Sequence, residues 1–290
     1  MIIRILKMLT LGAVFAQSLS AFAYDFKNAD RLFVKRNQML ETVETARRAY
    51  REAIPHVSGE EKIYTFVQLA RLGQYEFLAR SDELFQLSEN KEEAFRNIRE
   101  IQVKIIGQVR VEIANRCLSD IENISGEMRN GKVVVEYYYW KAACLWDWSQ
   151  ASGFVDSIFR WGELLDTLKK GRAIAAWYEA NGFDRIAAPL HRTLPAIAGG
   201  SLETAYKYVE TAINSRSYGG DHPYDGGDYF FDAYYYKASI LAGQGHKKEA
   251  IEVLTEAISR VTDGDYSISR GPETMLHARA MVAFLQELKK

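Results

Sequence analysis

Two passages, GSLETAYKYVETA at positions 200–212 and GHKKEAIEVLTEA at 245–257, share one pattern, and that pattern decides the fold. Each opens on a glycine, Gly200 or Gly245, and a small residue follows five positions later, Ala205 or Ala250. An apolar residue comes four further on, Val209 or Leu254, and an alanine three beyond that, Ala212 or Ala257. Steps of four and three keep side chains on one helix face. Such an alanine–apolar–alanine stripe lets a neighbouring helix approach closely. The glycine is expected to end the preceding helix with a positive φ. The stretch from Ile186 to Arg260 therefore predicts paired helices joined by tight turns.

This arithmetic resembles the tetratricopeptide repeat, a helix-turn-helix unit with a period of about 34 residues. Tyr234, Ala238 and Leu241 precede Gly245 at that repeat's usual offsets, with Lys237 where an apolar residue is expected. Nearer the start, Ala46, Tyr50 and Ala53 form the same stripe, and Pro55 stops the helix. The helix before it is expected from about Asn28 to Glu41. Phe66, Leu69 and Ala70 follow at first-helix spacing. Glu83 to Asn115 reads as one or two amphipathic helices, with Lys91-Glu92-Glu93 on a solvated face. Ser125 to Gly131 reads as a polar loop, a soft boundary near 125–131 within one helical-repeat domain spanning 24–290. Proline is scarce, with 5 in the chain, and apolar residues recur at three and four rather than two. The fold class is all-α, an α-solenoid of helical hairpins.

The chain opens with an export signal. Arg4 and Lys7 precede the apolar run from Met8 to Phe15, and Ala21-Phe22-Ala23 is a small-x-small cleavage site. The run is too short for a membrane span, and no cysteine follows the site to carry a lipid anchor. The expectation is a signal peptide over 1–23, a periplasmic product from about Tyr24, and no membrane span after cleavage. Removing Arg4 and Lys7 leaves 35 of the 37 basic residues against 38 acidic ones. That balance argues against nucleic acid, which rewards clustered positive charge.

Cys117 and Cys144 are an even pair in a compartment where disulfides form. They are read either as one bridge or as two buried thiols on neighbouring helices. Val133 to Trp148 differs from the rest, carrying Tyr137, Tyr138, Tyr139, Trp140, Cys144, Leu145, Trp146 and Trp148. A helix apolar almost all round is either central core or the wall of a cavity. In the second case its rings suit a partly apolar ligand.

Several stretches together resemble the T component family associated with TRAP transporters (TatT-like proteins). Ala29-Asp30 and Lys35-Arg36-Asn37, followed by the Ala46 stripe, are similar to its opening, and Leu69-Ala70-Arg71 to its second repeat. The run from Tyr139 to Trp148 is similar to its Trp-rich third repeat. Pro189 to Arg192 and Pro195 to Gly200 are similar to its fourth. The resemblance implies a periplasmic helical-repeat protein with a lumen or groove. Such a protein works with a substrate-binding partner that handles small, often apolar or carboxylate, ligands. The chain departs from the family in lacking a lipobox cysteine. It also places Ala250 45 residues after Ala205, about 11 beyond one period.

The resemblance also implies which side chains face the groove, since the first helix of each repeat builds the concave wall. These are Tyr64, Arg71 and Tyr75; Tyr137, Trp140, Asp147 and Trp148; and Asp232 and Tyr235. Arg192 is a second candidate cation beside Arg71, which would clamp a carboxylate bidentately. The excess length falls in an insert, 215–228, rich in glycine and aspartate. It reads as a surface loop, with a lid as the alternative. Asp221, Asp225 and Asp228 lack EF-hand spacing, so no metal is assigned there.

Catalytic motifs are absent from the sequence. The five histidines include no i, i+4 pair for zinc, and there is no G-x-S-x-G, P-loop or Rossmann glycine pattern. Asp184 and His191 suggest a triad only if spacing and orientation are ignored. The expectation is a non-enzyme without cofactor or metal. Two readings stand: a ligand-handling periplasmic accessory with a substrate-binding partner, and a cell-envelope scaffold binding a protein or peptide. The first predicts a closed, aromatic-walled cavity and the second an open, charged, wet groove. Homo-oligomerisation is compatible with both.

Overall fold

The computed structural model describes residues 26–36, 40–89, 96–128, 134–215, 229–266 and 271–290. The expected export signal, the Lys91-Glu92-Glu93 run and the insert from 216 to 228 lie outside them. Among the described residues all regular structure is helical. The main helices are α1 (Lys27–Val34), α2 (Leu40–Ala53), α3 (Gly59–Glu89), α4 (Arg96–Glu122), α5 (Ser125–Met128) and α6 (Val135–Ser152). They continue as α7 (Phe154–Ala175), α8 (Tyr178–Thr193), α9 (Leu202–Ile213), α10 (Phe231–Gly243), α11 (Lys247–Thr262) and α12 (Gly271–Leu288).

The alanine stripes bury as their spacing requires. Ala205, Val209 and Ala212 on α9, Ala250, Leu254 and Ala257 on α11, and Ala46, Tyr50 and Ala53 on α2 are each 0% exposed. Removing a leucine such as Leu254 from water contributes about 1.5–3 kcal/mol. Helix pairs α3/α4, α6/α7, α8/α9 and α10/α11 pack together, and α4 on α6, α9 on α10 and α11 on α12 join one pair to the next. The last helix also rests against α3, so the chain closes back on its beginning.

The two turns that opened the sequence reading differ in detail. Gly245 has φ 87°. Its N–H bonds Ala242 O at 3.1 Å, while the His246 N–H bonds Leu241 O at 2.9 Å. These paired bonds satisfy the carbonyls left open where α10 ends. At the earlier turn the positive φ, 88°, belongs to Gly199 rather than Gly200. Gly200 is required for another reason: a Cβ there would overlap the Leu194 carbonyl. Ser201 then caps α9 by accepting from the Thr204 N–H at 3.2 Å.

Two expected boundaries are corrected. The first helix does not run on to Glu41. It stops at Val34, where the Lys35 and Arg36 amides turn back to the Leu32 and Phe33 carbonyls at 3.1 and 3.2 Å. That tightening aims the Arg36 side chain inward, leaving the residue 2% exposed. The expected loop at Ser125 begins instead with a helical turn, α5.

Helix α6 is central. It packs on α3, α4, α7 and α8, and Cys144 forms a disulfide with Cys117 of α4, Cα atoms 5.7 Å apart. One apolar cluster extends from Ala29 to Leu194, including Ile121 and Ile124 before position 125 and Val134 and Tyr139 beyond it. A second, around Phe231, Leu254 and Met281, fills the last three helices. Between them Ala188, Ala205, Val209, Ala233 and Ile240 form a bridge. Buried charge also ties the first helices: Glu76 on α3 holds Arg47 of α2 and Arg116 of α4, each at 2.6 Å.

Candidate functional site

Where α12 packs back on α3, a partly open cavity of about 290 Å³ lies between the helices. Helix α3 supplies Gln74, Phe77, Leu78 and Ser81, and α4 supplies Arg110. Helix α6 contributes Tyr139, Trp140, Ala143, Trp146, Asp147 and Gln150, and α8 contributes Arg185 and Ile186. Phe230, Phe231, Asp232, Tyr235 and Tyr236 enter from α10 and the residues before it. Glu273, Thr274, His277 and Ala280 complete the wall from α12. Tryptophan and tyrosine rings therefore face a small number of charged groups.

Four of the residues singled out in the sequence line this cavity: Trp140, Asp147, Asp232 and Tyr235. The others lie elsewhere. Tyr64 donates to Asp30 at 2.8 Å, and the Arg71 guanidinium sits 5.3 Å from the centre of the Phe33 ring. Tyr75 is buried with Arg36 over its ring at 5.5 Å. Tyr137 donates to Glu122 at 3.2 Å, Trp148 lies under Arg160 at 4.9 Å, and Arg192 is exposed. On α3 the cavity face is 74, 77, 78 and 81, further along and rotated from the 64, 71 and 75 set.

The cavity has two charged poles. At one, Arg185 is 5% exposed. Its Nη2 donates to the Tyr139 hydroxyl at 2.9 Å, Nε stands 3.9 Å from Asp232 Oδ2, and the guanidinium lies 3.3 Å from the centre of the Phe230 ring. Its Nε and Nη1 have no hydrogen-bond partner among the described residues. At the other pole, Asp147 is 5% exposed, and burial pushes its carboxyl well above the usual carboxylate range against the opposing pull of Arg110. Arg110 lies over the Phe77 ring at 4.5 Å, its Nε is also without a partner, and burial lowers its pKa.

The remaining groups are settled. Glu273 receives three hydrogen bonds from Arg36, at 2.6, 2.7 and 3.0 Å. His277 is held below its ordinary pKa by burial, although Asp232 and Glu273 pull the other way. Burial raises the pKa of the Tyr236 hydroxyl, with Asp232 adding to the effect.

Arg110, Arg185, Glu273 and His277 were missed from sequence. Arg185 had a readable signal: it sits in Phe183-Asp184-Arg185-Ile186-Ala187-Ala188, charge set within an apolar run. The imagined Asp184–His191 triad is not assembled. Asp184 pairs with Arg172 at 3.1 Å, and His191 Nδ1 lies 2.9 Å from the Gly199 carbonyl with its ring stacked on Tyr208. Both line a separate outer pocket of about 480 Å³ whose lining includes no serine. Among the described residues no group of three or more His, Cys, Asp and Glu could hold a metal ion. No described helix is long and apolar enough to cross a membrane.

Compared with protein-family models and with curated proteins, the chain matches none.

Proposed function

We propose that this chain is an exported tetratricopeptide-like α-solenoid, similar to the T component of TRAP-associated transport. In this reading it binds a small ligand with an apolar body and a carboxylate in the cavity between α3, α4, α6, α8, α10 and α12. It works in the periplasm, without catalysis, metal or cofactor, and exchanges the ligand with a substrate-binding partner protein. One observation carries the ligand reading: a buried guanidinium, Arg185, keeps two nitrogens without hydrogen-bond partners inside an aromatic-walled cavity. Leaving such donors unused is costly, and a carboxylate is the group their fork geometry fits. The fold assignment is supported by the buried alanine stripes and hairpin pairing, and the family by the order of the resembling motifs.

The test is a calorimetric titration with small aromatic and aliphatic carboxylates. Arg185→Gln removes a charge-assisted hydrogen bond worth about 1.5–3 kcal/mol, so binding should weaken roughly 10- to 100-fold. Arg71→Ala, outside the cavity, should leave affinity unchanged. Equal affinity in Arg185→Gln and the unaltered chain counts against the reading. The alternative, an envelope scaffold, is favoured by one feature: Val155, Ile158 and Phe159 share an exposed face of α7 at 71, 46 and 84% exposure.

A further inference from the structure

The two poles of the cavity are built alike but are not equally satisfied. Arg185 on α8 has Asp232 of α10 beside it, with 3.9 Å between Nε and Oδ2. Asp147 on α6 has Arg110 of α4 as its cationic neighbour. With all four groups ionised the cavity is electrically balanced. Glu273 adds nothing to this balance because Arg36 neutralises it.

A carboxylate entering such a space brings one uncompensated negative charge into a low-dielectric interior, which is strongly unfavourable. We propose that the cavity takes a singly charged carboxylate and takes it together with one proton, which resides on Asp147. This rests on the ligand reading above and specifies both its substrate class and its regulation. Arg185 holds the carboxylate through its open Nε and Nη1. Neutral Asp147 leaves Arg110 to balance the charge that Asp232 and the ligand share with Arg185. A dicarboxylate brings a second negative charge that no further group neutralises, and an amine brings charge of the wrong sign.

The acceptor of the proton is chosen by its surroundings. The charged and titratable groups that share the cavity with Asp147 are Arg110 on α4, Arg185 on α8, Asp232 and Tyr236 on α10, and Glu273 and His277 on α12. Helix α3 offers only the uncharged Gln74 and Ser81, and α7 contributes no lining residue. Asp232 is part-exposed and beside Arg185, and Glu273 is engaged by Arg36. Asp147 is buried from bulk water, and that burial raises its carboxyl pKa against the pull of Arg110. His277 is the competing acceptor, since Asp232 and Glu273 both favour its protonation.

The experiment titrates the oxidised chain with benzoate, terephthalate and benzylamine between pH 5.5 and 8.5. These probes share one ring and differ in charge. Benzoate affinity should fall as pH rises, by up to tenfold per unit once Asp147 is ionised in the free protein. Asp147→Asn, an isosteric mimic of the protonated acid, should bind benzoate with a flat profile, while His277→Gln keeps the slope. Terephthalate and benzylamine should bind at least tenfold more weakly. A flat profile in the unaltered chain, a slope surviving in Asp147→Asn, a slope lost in His277→Gln, or preference for the dianion or amine overturns the proton coupling while leaving a ligand site. No binding of any probe at any pH removes both the coupling and the site.

Discussion

Arg36 and Glu273, 237 positions apart, are joined by a guanidinium–carboxylate contact of 2.6 Å between Nη2 and Oε2. Arg36 lies just past α1 and Glu273 in the first turn of α12, so this contact ties the first described helix to the last. Arg279 to Asp82, at 2.7 Å, adds a second tie between α12 and α3, but its arginine is 58% exposed and it contributes little. Among the described residues Arg36–Glu273 is therefore the better buried of the two ion pairs that tie α12 back to the early helices.

Arg36→Ala leaves Glu273 without its guanidinium in a part-buried setting and should destabilise the protein by about 3 kcal/mol. Replacing both partners by methionine removes the stranded charge and should restore much of that loss. Urea unfolding followed by circular dichroism measures both variants, and hydrogen exchange should show the α12 amides losing protection first. Equal losses in the single and double variants would show that packing, rather than charge, holds α12 in place.

The Cys117–Cys144 bridge closes a loop with a sequence separation of 27. Loop-closure entropy for that length amounts to about 3–4 kcal/mol of stability. Cys117→Ala with Cys144→Ala should lower the urea midpoint by a corresponding amount. Because α6 carries both Cys144 and the cavity residues Trp140 and Asp147, the variant should also bind cavity ligands more weakly. A stability change below about 1 kcal/mol would mean that the surrounding core already holds α4 against α6.

The pairing of helices was legible because it is local: alanine stripes at four and three report their buried face from within a single helix. Cavity register was only partly legible. Trp140, Asp147, Asp232 and Tyr235 reach the cavity, but Arg71 and Tyr75 lie on another face of α3. That difference depends on how α12 folds back, which no local period encodes. Arg36 illustrates the same limit, since its partner lies 237 residues away. Asp147 was assigned from its repeat position, whereas Arg185 was missed although a charge set inside an apolar run is costly unless something calls for it.

Asp147 gives the sharpest solution test. Its folded-state pKa is raised well above the ordinary carboxylate value by burial, with Arg110 opposing. The folded protein therefore binds this proton more tightly than the unfolded chain does. Stability from the group is full below the unfolded pKa, near 4, and is lost as pH rises through the folded value. Asp147→Asn has no proton to lose, so its stability relative to the unaltered chain should improve steadily from pH 4 upward and then level off. At pH 8 the variant should be the more stable protein, as expected where a binding site keeps an unfavourable charge for function. Urea midpoints at pH 5, 7 and 8 decide the matter. If Asp147→Asn is the less stable protein at pH 8, the carboxylate is well paired with Arg110 and is not under strain from burial.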